Sequence, residues 1–432
     1  MSGPRRILTS METIATDIHA SWQGRAVGLL DLDAFFASVE VLDHPEWRGL
    51  PVIVGGDADK RGVVSTCSYE ARKFGVHSAM PSAQAKRLCP DAVWVQGRHA
   101  RYAEMSREVM ALILDETPYM EQMSVDEAYF DVTPGRFSRD DPVEVCARIS
   151  RSVEALGITC SIGLSTSKTV SKIASERNKP NGTTVVYPGC EAAFLAPMGV
   201  RALPGVGPQT ATALERLGIR TLGALAQADA ATLAQLGSLG PSLAARAAGI
   251  DPSPVQDYAR REGAKSVSCE RTFSRDLTGA EEVHDALASV CAQTAQRLRA
   301  KGLKGRCVCV KCCQEFGRTR SAQQTLERRV DDEHDILPVA SALLEQLWRP
   351  GEHVRLLGVG LSNWQGGTAQ ASLFDDVEEQ DREHERRERI SSTKDALRGK
   401  FGNAAIMSGS ELRARQRMRD EDDDQGTPNR RA

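Results

Sequence analysis

The sequence predicts a multidomain α+β protein, and three observations carry that expectation. Between Val27 and Tyr187 short apolar runs alternate with helical stretches; near residue 200 the composition turns to Ala, Leu and Gly with helical periodicity; strand-like material resumes at Ser266 after a charged, turn-rich stretch. With 432 residues and 41% hydrophobic content the chain can bury several cores. At ~150 residues per domain, about three are expected.

Taken in order, residues 1–24 are polar and aperiodic and are expected to form a loose leader. Within 25–190, the runs Ala26 to Leu30, Val52 to Val54, Val125 to Val132 and Ile158 to Leu164 read as strands, and Arg101 to Leu114 as a helix. Residues 191–250 read as several short helices punctuated by glycine. Asp251-Pro-Ser-Pro254 opens a linker over 251–265, and a separate domain follows over 266–363. The stretch 364–432 is highly charged and poor in apolar residues, with one amphipathic segment at Ile390 to Ile406, and is expected to be mostly disordered.

The formal net charge is only -3, so any affinity for nucleic acid must come from local asymmetry. Between Arg297 and Arg329 ten Lys or Arg stand against two Asp or Glu, which suggests a phosphate-seeking face. The eleven cysteines are scattered, and no apolar run is long enough for a signal segment or a membrane span. The chain therefore reads as cytoplasmic, with reduced thiols and no membrane partner. Cys307, Cys309, Cys312 and Cys313 alternate as a strand does, without a nearby His to complete a metal site.

Two acidic clusters suggest chemistry. Asp31 and Asp33 stand where an apolar strand runs into a helix, sharing one side of the strand unless the chain has already begun to turn. Spacing alone leaves open which of them meets a metal. Asp126 and Glu127 sit in another strand-like run, where burial without a counter-ion would be costly and a divalent cation would remove the cost. Thr66-Cys-Ser-Tyr-Glu-Ala-Arg72 adds hydroxyls and a guanidinium at a helix start, and Asn178-Lys-Pro-Asn-Gly182 a lysine in a tight turn. Arg and Lys beside paired carboxylates, with no clustered His, point to a Mg²⁺-bound triphosphate and phosphoryl transfer.

These segments together resemble the Y-family DNA polymerases, most closely the bacterial DNA polymerase IV type, over roughly Val27 to Phe374. The resemblance rests on Asp31-Leu-Asp-Ala-Phe-Phe-Ala-Ser-Val-Glu40, Tyr69-Glu-Ala-Arg-Lys-Phe-Gly-Val76, Ser124-Val-Asp-Glu127, and Lys168 through Lys179-Pro-Asn-Gly182. It implies a right-hand architecture: palm and fingers over 25–190 with a four- or five-stranded palm sheet and small fingers at about 45–98, a helical thumb over 191–250, and an α/β little finger over 266–363. Two departures are visible: Leu32 stands where Met or Phe is usual, and Ser167 where Asn is usual.

The resemblance implies a low-fidelity, translesion DNA polymerase that extends a primer on template DNA from deoxynucleoside triphosphates, with two Mg²⁺ ions. Asp31, Asp126 and the backbone carbonyl of Leu32 would hold metal, Glu127 would be catalytic beside the primer hydroxyl, and Asp33 would be structural. Thr66, Tyr69, Arg72 and Lys179 would hold the triphosphate, and Phe36 would exclude a 2′-hydroxyl. Leu203-Pro-Gly-Val-Gly-Pro208 looks like a helix-hairpin-helix, whose Gly205 and Gly207 would offer backbone N–H groups to a DNA phosphate. Gln370-Ala-Ser-Leu-Phe374 resembles a sliding-clamp peptide, with Gln370, Leu373 and Phe374 as its anchors. A monomer is expected. Two competing classes are a catalytically silent relative that scaffolds other polymerases and a metal nuclease; the intact carboxylates argue against the first, and the triphosphate-type residues against the second.

Overall fold

The computed structural model describes residues 8–9, 22–260, 263–315, 317–364 and 377–402, with positions 405–407, 409, 412–413 and 416 beyond them. The chain divides into two compact units, Met1–Glu262 and Gly263–Ala432.

The first unit is built on a six-stranded sheet. Its elements are β1 (Leu8–Thr9), β2 (Val27–Leu32), α1 (Phe35–Asp43), β3 (Val52–Gly55), β4 (Val64–Cys67), α2 (Tyr69–Arg72), α3 (Ser82–Leu88), β5 (Val93–Val95), α4 (His99–Glu116), β6 (Met120–Gln122), β7 (Glu127–Asp131), α5 (Pro142–Ala155), β8 (Cys160–Ser165), α6 (Lys168–Ser175) and β9 (Thr183–Val185). The strand order is β1-β9-β8-β2-β7-β6. β2 lies between β7 and β8, antiparallel to both, and every residue of it is buried. That position explains its nearly unbroken apolar run.

On one face of the sheet Leu30, Phe130 and Ile162 pack with Tyr102, Val109, Ile113 and Ile149 from α4 and α5. On the other, α6 lies against β8, and Gly163 is what permits it: a Cβ there would stand 2.0 Å from the carbonyl oxygen of Ser171. The expected four or five strands become six because Leu8–Thr9 of the leader pairs in parallel with β9. The expectation of a loose leader to residue 24 also fails at Trp22, which is buried in the main core and donates its indole N–H to the Arg25 carbonyl, 3.0 Å away.

A separate three-stranded sheet, β4-β3-β5, gathers Ile53, Val64, Cys67, Ala71 and Met80 into a small core of its own. Beyond β9 the chain forms short helices: α7 (Glu191–Leu195), α8 (Pro208–Arg216), α9 (Leu222–Ala226), α10 (Ala230–Ala234) and α11 (Leu239–Ala247). Their core of Leu203, Leu214, Leu222 and Leu243 is continuous with Val170 and Ile173 of α6.

The stretch read as a linker is docked in its first half. Val255 is buried with Val27, Leu29 and Tyr129 on the sheet, Asp251 accepts from the backbone N–H and hydroxyl of Thr169 at 3.1 and 2.8 Å, and Arg25 donates to the Asp251 carbonyl at 3.1 Å. A single buried valine and one capping carboxylate do this, and composition hides both.

In the second unit β10 (Ser266–Leu277), α12 (Ala280–Ala300), β11 (Gly305–Glu315), β12 (Arg318–Val330), α13 (Glu333–Leu347) and β13 (Val354–Ser362) form a four-stranded antiparallel sheet, order β10-β13-β11-β12, covered by the two helices. The four clustered cysteines lie on β11, alternating as expected, and all eleven cysteines are free thiols. The basic run does not form one face: Arg299 turns into ion pairs with Glu333 at 3.1 Å and Asp395 at 2.6 Å, and Lys311 pairs with Glu270 at 2.7 Å, while Arg318, Arg320 and Arg328 are exposed.

Asp395 belongs to α14 (Val377–Phe401), a helix in a stretch expected to be mostly disordered. Besides the Arg299 pair, Lys394 meets Glu333 at 2.9 Å and buried Ser391 donates to Asp332 at 2.7 Å. The amphipathic segment expected from Ile390 thus overlaps the helix, and polar anchors hold it there. The clamp-type residues Gln370, Leu373 and Phe374 lie outside the described residues. Among the described residues no helix is long and apolar enough to cross a membrane.

Candidate active site

A polar cleft opens where β2 turns into α1. Asp31, Leu32 and Phe36 line it together with Thr66, Tyr69 and Arg72 from the small sheet and α2, Asp126 from the loop before β7, and Lys179 from the turn after α6. Ala34, Phe35, Ser65 and Ser78 complete the lining. Segments scattered along the chain thus meet at one place, which only the fold could decide.

Asp31 and Asp33, alike by spacing, stand in different surroundings. Ala34 adopts a left-handed conformation, φ 45°, directly after them and turns the chain into α1. Asp33 is 2% exposed and accepts from Ser161 at 2.8 Å, Thr159 at 2.9 Å, the Asn181 backbone N–H at 2.8 Å and Tyr69 at 3.3 Å. Its oxygens are fully engaged in joining β8, α2 and the Lys179 turn. Asp31 instead meets two ammonium groups, Lys179 at 2.7 Å and Lys172 at 3.0 Å.

Glu127 is the register partner of Asp31 across the β2–β7 pair, and Lys172 reaches it at 2.8 Å. It is not among the residues lining the cleft. Asp126 is half-buried; its carboxylate accepts a short hydrogen bond from Ser124, and its carbonyl accepts from the Leu32 N–H at 2.9 Å, tying the two acidic segments together.

Lys172 is absent from the sequence reading. It stands on α6, whose close seat on Gly163 brings it to the carboxylates. Its signal was available: Lys168, Lys172 and Glu176 recur every four residues, the spacing of one helix face. Burial alone would lower the pKa of Lys172, but the charges of Asp31 and Glu127 outweigh it and hold the ammonium above its ordinary value. Lys179 is raised for the same opposing reasons, with Asp31 again the dominant partner. Burial, then the Asp33 charge, pushes the Tyr69 phenol up, so it stays a donor.

Phe36 is half-buried, with one side toward the cleft and the other stacked on Tyr102. The Arg72 guanidinium lies over the Tyr69 ring, 4.6 Å from its centroid. Gly205 and Gly207 are not in this cleft. They form the hairpin before α8, Gly205 at φ 89° and Gly207 as a helix start without a side-chain cap, and Arg246 holds the hairpin through the Pro204 carbonyl at 2.9 Å.

Among the described residues no group of three or more His, Cys, Asp or Glu forms a ready metal cage. The donor set of carboxylates and backbone beside two ammonium groups nonetheless fits a hard divalent ion, which takes its remaining ligands from water and substrate phosphates.

Comparison with known proteins gives a consistent set of relatives. Residues 30–176 match the family described as impB/mucB/samB, residues 264–373 its C-terminal domain, and residues 200–247 a SAM-like helix-hairpin-helix tandem. The chain is 40% identical to the DNA polymerase IV of Dehalococcoides mccartyi over 388 residues, 89% of this chain and 97% of the relative. It is 43% identical to the DNA polymerase IV of Methanoculleus marisnigri over 356 residues, 81% of this chain and 97% of that one. A solved Y-family DNA polymerase chimera superposes with a TM-score of 0.71 at 26% identity, covering 79% of this chain and all of the chimera.

Proposed function

The chain belongs to the impB/mucB/samB family of Y-family DNA polymerases, in the bacterial DNA polymerase IV group, and from that premise we propose how its own residues carry out the reaction. It is a low-fidelity, DNA-directed DNA polymerase of translesion synthesis, acting with a divalent metal on primer-template DNA and deoxynucleoside triphosphates.

The site reading is supported by one observation above all: Asp31, Asp126, Phe36, Thr66, Tyr69, Arg72 and Lys179 share a single cleft. In this reading Asp31 and Asp126, with the Leu32 carbonyl, hold the metal, which is Mg²⁺, two per site. When bound, such ions neutralise the entering and leaving oxygens of an in-line displacement. Glu127 orients the primer 3′-hydroxyl. Lys179 and Arg72 bind the triphosphate as charge partners, the Tyr69 and Thr66 hydroxyls donate to it, and Asp33 keeps Tyr69 and the Lys179 turn in place.

Phe36 closes the floor beneath the sugar, where an added 2′-oxygen would meet the ring. Gly205 and Gly207 present backbone N–H groups to a DNA phosphate, holding the duplex without reading its sequence. Gln370, Leu373 and Phe374 anchor the enzyme, a cytoplasmic monomer, to a sliding clamp.

Extension of a labelled primer on undamaged template, with Mg²⁺ and each deoxynucleotide in turn, tests this reading. Incorporation directed by the template base is expected. No extension by folded protein that still binds primer-template would favour the silent scaffold.

A further inference from the structure

Lys172 poses a question that the reaction itself does not answer. Lys179 has a triphosphate to bind, but Lys172 spans Asp31 and Glu127, at 3.0 and 2.8 Å, and lies in neither the cleft lining nor the phosphate-binding set. The two carboxylates face each other in adjacent strands and are largely buried, so without a shared cation their like charges would repel at low dielectric. An ion bound by Asp31 at the ~2.1 Å typical of Mg²⁺ would put a double positive charge beside that ammonium. Both cannot stay.

One acceptor stands ready for the displaced group. Glu176, one helical turn beyond Lys172, already lies 3.6 Å from its Nζ and 2.9 Å from that of Lys179, on the exposed side of α6. A rotamer change carries the ammonium from the carboxylate pair to Glu176 without moving the backbone.

We propose that Lys172 is a built-in placeholder cation: it neutralises Asp31 and Glu127 in the metal-free enzyme, competes with the divalent ion for them, and is received by Glu176 when the ion binds. This rests on the reading of Asp31 as a metal ligand. Its consequence is that the free enzyme holds metal weakly while its acidic site stays folded and neutralised.

Mn²⁺ titration of the full chain, followed by the electron paramagnetic resonance signal of free Mn²⁺ without DNA or nucleotide, tests the proposal. Lys172→Met keeps the side-chain length and removes the charge, and should tighten Mn²⁺ binding by about fivefold or more, the lower end of ordinary coupling between two sites. Glu176→Gln should weaken binding, and that weakening should vanish in the Lys172→Met background; a mere loss of negative field would persist there. Asp31→Asn serves as the control. Weaker binding in Asp31→Asn with none of the Lys172→Met effect would overturn the placeholder alone, whereas unchanged binding in Asp31→Asn would overturn the metal-site reading and the placeholder with it. Should Lys172→Met fail to fold, Lys172→Gln takes its place alone and combined with Glu176→Gln: tighter Mn²⁺ binding that no longer responds to Glu176→Gln supports the proposal, and binding equal to the parent's rejects it.

Discussion

The ring of Phe36 lies stacked on that of Tyr102, 4.2 Å between centroids and 12° from parallel, and the Tyr102 hydroxyl donates to the fully buried carboxylate of Glu40 at 2.5 Å. Arg98 grips the same carboxylate at 2.8 and 2.9 Å. Burial and the Glu40 hydrogen bond push the Tyr102 phenol up to about 12, so it remains a donor throughout the working pH range. Phe36 is thus braced from below and cannot sink away from a ligand in the cleft.

Replacing Phe36 with Val is therefore expected to raise ribonucleotide incorporation relative to the matched deoxynucleotide by roughly ten- to two-hundredfold, the scale that a change of pocket shape provides. Single-nucleotide incorporation with both substrates measures the ratio. If Phe36 were only a core residue, the variant would lose about 3 kcal/mol or more of stability and gain no ribonucleotide use.

Asp31→Asn and Asp126→Asn should each abolish extension while leaving primer-template affinity near that of the parent. Loss of one charge partner of the transition state costs at least ~10²-fold in rate, and loss of a metal ligand should exceed that. Single-turnover extension beside a DNA-binding titration distinguishes the two effects; turnover within about tenfold of the parent in either variant would refute the ligand assignment.

Asp33→Ala should behave differently from Asp31→Asn, although the residues are two apart. It strips a buried acceptor from Ser161, Thr159, Tyr69 and the Asn181 N–H, so the loss should appear as stability, about 3 kcal/mol or more, in urea unfolding. An unfolding midpoint equal to the parent's would show that these bonds are not what holds the turn.

For the peptide at residues 370–374 the expectation rests on sequence alone. Changing Leu373 and Phe374 to Ala should leave extension unaltered without clamp and remove the stimulation seen with a loaded clamp, because tethering raises local concentration without altering the site. Full stimulation of the double variant would mean that the anchor lies elsewhere.

The sequence by itself determined the fold class and singled out Asp31, Phe36, Thr66, Tyr69, Arg72, Asp126 and Lys179, which the structure gathers in one cleft. It could do so because apolar periodicity is a local property, and because carboxylates, guanidinium and hydroxyls announce phosphoryl transfer wherever they later meet. It did not separate Asp31 from Asp33 by spacing alone, since two residues two apart on one strand are equivalent until their neighbours are known: hydroxyls and a backbone N–H surround Asp33, and two ammonium groups meet Asp31. Nor did it disclose Lys172, whose function depends on α6 approaching β8 as closely as Gly163 allows, or the docking of Val255, a lone valine in a charged stretch. The helix over 377–401 was signalled only in its second half, by the amphipathic segment from Ile390, and the ion pairs that hold it there could not be read from periodicity. Pairings between distant segments are set by packing and by the pairing of buried charge, and only the tertiary structure brings those partners together.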